Sequence, residues 1–228
     1  MRLAALYSGG KDSTFAMYLA AQMGHEICAM VNIVPDGDDS WIFHTPNLGA
    51  VPLMAESMGL PLATARSDGT EEGDMRALAE ALSGLGVDGV VAGAAWSDYQ
   101  WDRMNRVCGD LGLRLIAPMW RKDQATLLRE LIDAGVEAIV VGCYADGMGA
   151  EWLGRRLDPG AAADLGALSR SRGISVIGEG GEYESLTLDS PLHGRPLEIE
   201  SSEIEWNGRS GTLRVTGARL GPGCARSP

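Results

Sequence analysis

Two short stretches of this chain carry residue types that could do chemistry. The first is Ser8-Gly9-Gly10-Lys11-Asp12-Ser13, which follows the apolar run Leu3-Ala4-Ala5-Leu6-Tyr7 and leads into a helix-forming segment. A helix start offers backbone N–H groups and a partial positive charge. Two glycines let the backbone approach an anion closely; Ser8 and Ser13 add hydroxyl donors, and Lys11 adds a full charge. Such a set suits the holding of a di- or triphosphate. It is not a Walker loop, because Asp12 follows the lysine and Ala5 stands where the first glycine is required. A bare glycine turn with an Asp or Ser helix cap would be unremarkable, but six fixed residues match by chance on the order of 10⁻⁵ of the time in this length. Asp12 could cap the helix.

The second stretch is Gly178-Glu179-Gly180-Gly181-Glu182-Tyr183-Glu184, with three carboxylates close together among glycines. Clustered carboxylates bind cations or take a proton from a nucleophile. A solvated acidic turn is the plain alternative. Against it, the run lies between the apolar segments 174–177 and 186–188, which sets it at a strand end, where α/β proteins build sites.

These stretches need a scaffold, and the apolar pattern supplies one. Strands are expected at 3–7, 27–34, 60–65, 87–94, 113–117 and 138–143, alternating with helices at 13–23, 47–58, 71–85, 99–111 and 123–134. Continuous apolar strands between helices predict an α/β fold: a parallel twisted sheet with helices on both faces. After residue 145 the pattern changes to a helix at 161–171 and then strands at 197–206 and 212–220 joined near Asn207-Gly208, a hairpin signal. The reading is therefore an α/β domain at 1–145, a smaller C-terminal α+β part at 146–220 that binds substrate, and a frayed tail at 221–228.

Bulk properties narrow the function. The 228 residues carry 31 acidic and 19 basic side chains, a formal net charge of −12, which disfavours nucleic acid as a partner. The four cysteines, Cys28, Cys108, Cys143 and Cys224, form no Cys-x-x-Cys pair and no zinc or iron–sulfur spacing. They read as reduced thiols in a cytoplasmic protein. The first apolar run is too short for a leader peptide, and no stretch approaches the ~20 apolar residues of a membrane span. A homo-oligomer is compatible with the chain.

The phosphate loop resembles the signature of the PP-loop ATP pyrophosphatases, which implies a Rossmann-like fold of the adenine-nucleotide alpha-hydrolase type and cleavage of ATP between the α- and β-phosphates. Further segments extend the likeness: Asp39-Ser40-Trp41-Ile42-Phe43-His44; Ser97-Asp98-Tyr99-Gln100 followed by Arg103, Val107 and Cys108; Pro118-Met119-Trp120; the acidic run with Ser185; and Leu188-Asp189-Ser190-Pro191-Leu192. Together they resemble the diphthine–ammonia ligase family, from Arg2 to about residue 206. The resemblance implies that ATP adenylates the carboxylate of diphthine, a modified histidine on translation elongation factor 2, and that ammonium then displaces AMP to give the amide. It implies ATP contacts from Ser8, Gly9, Gly10, Lys11, Asp12, Ser13 and Gly93, with Mg2+ at Asp12; Tyr99 and Gln100 either line the nucleotide pocket or form a helix-cap region, and His44 either contacts nucleotide or packs. The catalytic set it implies is Lys11 on the leaving pyrophosphate, Arg103 on a phosphate or the substrate carboxylate, and Glu179, Glu182 and Glu184 gripping and deprotonating ammonium; without the resemblance Arg103 reads equally as a surface ion pair. Asn105 stands where the family commonly has glutamate, and Ser185 replaces its usual threonine.

Two other readings compete. A tRNA-directed PP-loop enzyme, a thiolase or a lysidine-type ligase, would keep the ATP chemistry. Thiolation usually needs a reactive cysteine pair, which is missing, and an acidic chain suits RNA poorly. A nucleotide-binding sensor without turnover would leave the acidic run without a task.

Overall fold

The computed structural model describes residues 1–36 and 47–223. Five strands form a wholly parallel sheet: β1 (Arg2–Leu6), β2 (Glu26–Pro35), β3 (Leu62–Ser67), β4 (Gly89–Val91) and β5 (Arg114–Ile116), in the order β3-β2-β1-β4-β5. The helices between them are α1 (Lys11–Gln22), α2 (Val51–Met58), α3 (Glu71–Leu82) and α4 (Asp98–Asp110). This is a Rossmann-like α/β arrangement. Its strand order reverses between β1 and β4, so a crevice opens where the chain leaves those two strands.

Alternation along β1 separates the two faces. Leu3, Ala5 and Tyr7 pack with Phe15, Met17 and Met54 of α1 and α2, whereas Ala4, Val31 and Ile33 pack with Leu78 of α3 and Met104 of α4. Local chemistry sets the helix starts. Thr70 accepts from the Gly73 N–H and Ser97 from the Gln100 N–H, the hydrogen bonds expected of N-cap hydroxyls.

The remaining elements are α5 (Gln124–Asp133), β6 (Glu137–Cys143), α6 (Pro159–Arg172), β7 (Tyr183–Asp189), β8 (Leu197–Trp206) and β9 (Gly211–Leu220). Asp123 and Asp158 cap α5 and α6. The four strands form a second, antiparallel sheet in the order β7-β6-β9-β8. Here the structure corrects the sequence reading. The strand expected to extend the parallel sheet, 138–143, pairs with β7 and β9 instead. A boundary at 145 would cut this sheet between β6 and β7, which pair with each other, and α5 packs on α6. An apolar strand covered on both faces looks the same in either sheet, so the pattern could not assign it. Residues 174–177 form no strand, and the tail beyond 223 lies outside the described residues.

The two sheets do not have separate cores. One apolar cluster runs from β1, α1 and α2 through α5 and α6 into β6 and β7, with Tyr7, Met54, Val140, Leu165 and Leu186 among its buried members. Polar contacts stitch the same junction: the Thr187 N–H donates to the Gly9 carbonyl at 2.9 Å, and the Asn47 side chain donates to the Leu213 carbonyl and accepts from the Val215 N–H.

Candidate active site

The segments that follow β1 and β4 and the segment that precedes β7 meet around one cavity of about 340 Å³. The phosphate loop forms its floor. Gly10 begins α1 without a side-chain cap. The N–H of Lys11 is instead satisfied across the molecule by the Ser185 hydroxyl of β7, 3.2 Å away. Thus the helix start that should hold an anion is shared by the two sheets. Ser8 and Ser13 hydroxyls lie 3.3 Å apart at its rim. The backbone of Asp12 and Ser13 passes so close to Gly93 that a Cβ there would sit 2.8 Å from it, which ties the loop after β4 to the first turn of α1.

Lys11 is buried, at 2 % exposure. Its Nζ donates to the Asp12 carboxylate and to the Ile177 carbonyl, both at 2.7 Å, and lies 4.8 Å from the centre of the Tyr183 ring. Burial pulls its pKa down, but Asp12 and further charge from Tyr183 and Glu179 outweigh that and hold the ammonium above its ordinary value. The cation is therefore fixed and charged at the cavity.

The three glutamates of the acidic run have three different settings. Glu179 turns one carboxylate oxygen onto the N–H groups of Ala95, Trp96 and Ser97 at 3.2, 2.7 and 2.9 Å. It thereby binds the turn that starts α4, where negative charge is favoured. Glu182 folds back on its own loop, accepting from the Ser175 N–H and the Gly180 N–H, each at 2.8 Å. Glu184 points into the cavity beside Ser185. Burial lifts its carboxyl to about 8, against the opposing pull of Lys11.

Of the residues singled out in the sequence, Ser8, Gly10, Lys11, Asp12, Ser13, Gly93, Gln100, Glu179 and Glu184 line this cavity. Gly9 has φ +84°, and a Cβ there would meet Met54 and Val51 at 3.4 Å. Glu182 borders a shallower cleft with Trp96 and Gln124. Tyr99 and Arg103 form a cluster of their own: the guanidinium lies 3.2 Å from the centre of the Tyr99 ring, and both side chains reach Glu71 of α3, at 2.8 and 2.7 Å. Each directly precedes in α4 a residue that does line the cavity, Gln100 and Met104 respectively. Asn105 bonds the Trp101 carbonyl within α4. His44 lies outside the described residues.

The cavity also uses residues that sequence reasoning did not single out as contacts. Leu6, Ile33, Leu48 and Met104 give it an apolar wall, and Tyr183 and Ser185 complete the phosphate side. Ser185 had a signal, since it directly follows the acidic run; the apolar wall had none beyond being core. Among the described residues no three His, Cys, Asp or Glu side chains converge on a metal position. A magnesium ion carried on nucleotide phosphates needs only one or two protein carboxylates, and Asp12, 32 % exposed at the cavity edge, meets that lesser demand.

A charged lysine at a helix start, a carboxyl of raised pKa and an apolar wall line one cavity, an arrangement suited to a nucleotide. Comparison with known proteins specifies it further. Residues 1–115 match the family model of the diphthamide synthase N-terminal domain, and residues 123–220 match that of the diphthamide synthase C-terminal domain. The chain belongs to the diphthamide synthase family. It is 39 % identical to the diphthine–ammonia ligase of Danio rerio over 89 % of this chain and 88 % of that one. The human diphthine–ammonia ligase is 36 % identical, over 90 % and 85 %. The Schizosaccharomyces pombe protein of that name is 31 % identical over 90 % of this chain, which spans 37 % of that longer protein. Among the described residues no helix is long and apolar enough to cross a membrane.

Proposed function

We propose that this chain is an ATP-dependent ligase that amidates diphthine on translation elongation factor 2 in the cytoplasm, releasing AMP and pyrophosphate. One observation carries the reading: the phosphate loop and Glu184 face the same cavity, and the Ser185–Lys11 contact joins them.

The residues divide the work as follows. The start of α1, Ser8, Ser13 and Lys11 hold the β- and γ-phosphates, and Lys11 stabilises the charge that builds on pyrophosphate as the substrate carboxylate attacks the α-phosphorus. Asp12 would hold magnesium, which supplies charge neutralisation on the phosphates when bound. The apolar wall of Leu6, Ile33, Leu48 and Met104 suits the adenosine end. Attack forms the acyl adenylate and expels pyrophosphate. Ammonium then enters beside Glu184, which takes one proton. The freed ammonia forms the C–N bond, loses a second proton, and displaces AMP. A base with a pKa near 8 is matched to that task at neutral pH. Glu179 and Glu182, expected in the sequence to share it, act in this reading as positioning residues that hold the loop closed. The Arg103–Tyr99 pair stands behind the nucleotide wall and stiffens α4 against α3.

The test is stoichiometric. Purified protein, ATP, magnesium, ammonium and a diphthine-bearing elongation factor are expected to yield AMP, pyrophosphate and new amide in equal amounts. AMP formation that depends on tRNA, and not on the elongation factor, would refute the reading.

A further inference from the structure

The second sheet carries an aromatic surface next to Glu184 that the mechanism above leaves unused. In the ladder, Glu184 of β7 stands opposite Gly142 of β6, and Gly142 stands opposite Thr212 of β9. Residues directly opposite across strands face the same side of a sheet. The three therefore form a row whose middle member has no side chain. The ring of Tyr144 fills that gap. A Cβ at Gly142 would lie 2.6 Å from the Tyr144 Oη and 2.8 to 2.9 Å from two ring carbons. The phenol reaches the Thr212 hydroxyl at 3.5 Å, and the Tyr144 N–H donates to the Glu182 carbonyl at 2.9 Å. The ring is thus fixed at its root and its tip.

Unlike Tyr7 and Tyr183, which are buried, Tyr144 is 38 % exposed. On its other edge β7 meets the phosphate loop through Ser185 and Thr187. Glu184 accordingly stands between the phosphate loop and an open aromatic face. An aromatic face beside a carboxylate attracts a cation, and one that is alkylated loses less hydration on approach than a bare ion. A substrate that extends its carboxyl toward the α-phosphate past Glu184 would lay neighbouring groups on this ring.

We propose that Tyr144, seated over Gly142 beside Glu184, binds an alkylated ammonium group carried by the acid substrate. The proposal rests on the ligase reading and deepens it, because it names the feature by which the acid is chosen. Diphthine has the required chemistry: it is a betaine, with trimethylammonium and carboxyl on one carbon. The substrate cation then also lies against Glu184 and favours its ionised form, the form that must accept the ammonium proton.

Two measurements test it. In amide synthesis on the diphthine-bearing factor, Tyr144→Leu is expected to raise KM for that factor about tenfold, while KM for ATP stays unchanged and Tyr144→Phe restores the factor's KM to within about twofold of wild type. No rise in the leucine variant, or a phenylalanine variant as weak as leucine, would overturn the proposal. The second measurement needs no turnover: binding of N-trimethylated α-aminobutyrate and of its carbon isostere, in which tert-butyl replaces trimethylammonium, followed by NMR. Wild type is expected to prefer the ammonium-bearing probe about tenfold, and Tyr144→Leu to lose that preference. Equal binding of both probes to wild type would sink the cation seat even if amide is made. A preserved, Tyr144-dependent preference without any amide synthesis would keep the seat and reject the ligase reading.

Discussion

At the scale of single residues, the cavity separates groups that hold charge from groups that move protons. Lys11 is clamped by Asp12 and Ile177 and cannot follow the substrate, so its contribution is a fixed field. Replacing it with methionine, which keeps the volume, is expected to lower the rate of AMP release by 10² to 10³ with an unchanged circular dichroism spectrum; a rate near wild type would remove Lys11 from the mechanism. Glu184→Gln is expected to leave ATP binding intact and abolish amide formation, read by nucleotide titration and by product mass. The same substitution makes a stability prediction. A carboxyl raised by burial to about 8 favours the folded state while protonated, and that contribution is lost as pH climbs from the ordinary carboxylate range through 8. Glutamine cannot ionise, so the variant should melt a few degrees above wild type at pH 9 and close to it at pH 4. The opposite order would mean that Glu184 is ionised and stabilised in the fold. Burial also pushes the Cys108 and Cys143 thiols up, to about 11 and about 12.

At the scale of elements, the turn after β4 is the piece most dependent on distant chain. Its Ala95, Trp96 and Ser97 N–H groups all converge on Glu179. Glu179→Ala leaves three donors to water and is expected to cost about 1–3 kcal/mol in chemical denaturation, and to weaken ATP binding because α4 supplies Gln100 and Met104. Glutamine at 179 should recover most of the stability, since its carbonyl still accepts. Much of this level was legible in advance. The strand–glycine–helix start of the phosphate loop is a local signal, and the elements fall close to where the pattern put them. Sheet membership was not legible, because β6 is apolar on both faces and reads alike in either sheet. Nor were the separate tasks of the glutamates. Which way a carboxylate turns is decided by N–H groups more than 80 residues away in Glu179, and by the loop's own closure in Glu182. Arg103 carried a binding expectation from its neighbours in sequence, whereas its partner, Glu71, is fixed by the packing of α3 on α4.

At the scale of the whole molecule, one apolar cluster spans both sheets, so neither half can bury its share alone. Fragments 1–118 and 119–223 are expected to remain largely unfolded when made separately, and the intact chain to melt in a single transition; two well-separated transitions in calorimetry would contradict this. The Glu179 clasp gives that unity a further meaning. A carboxylate from the late part of the chain grips bare main chain in the early part, and main chain is the same whatever the sequence of the turn. Halves taken from two members of this family could therefore be recombined into a working chimera, provided the late half brings its glutamate and the early half keeps the length of its turn.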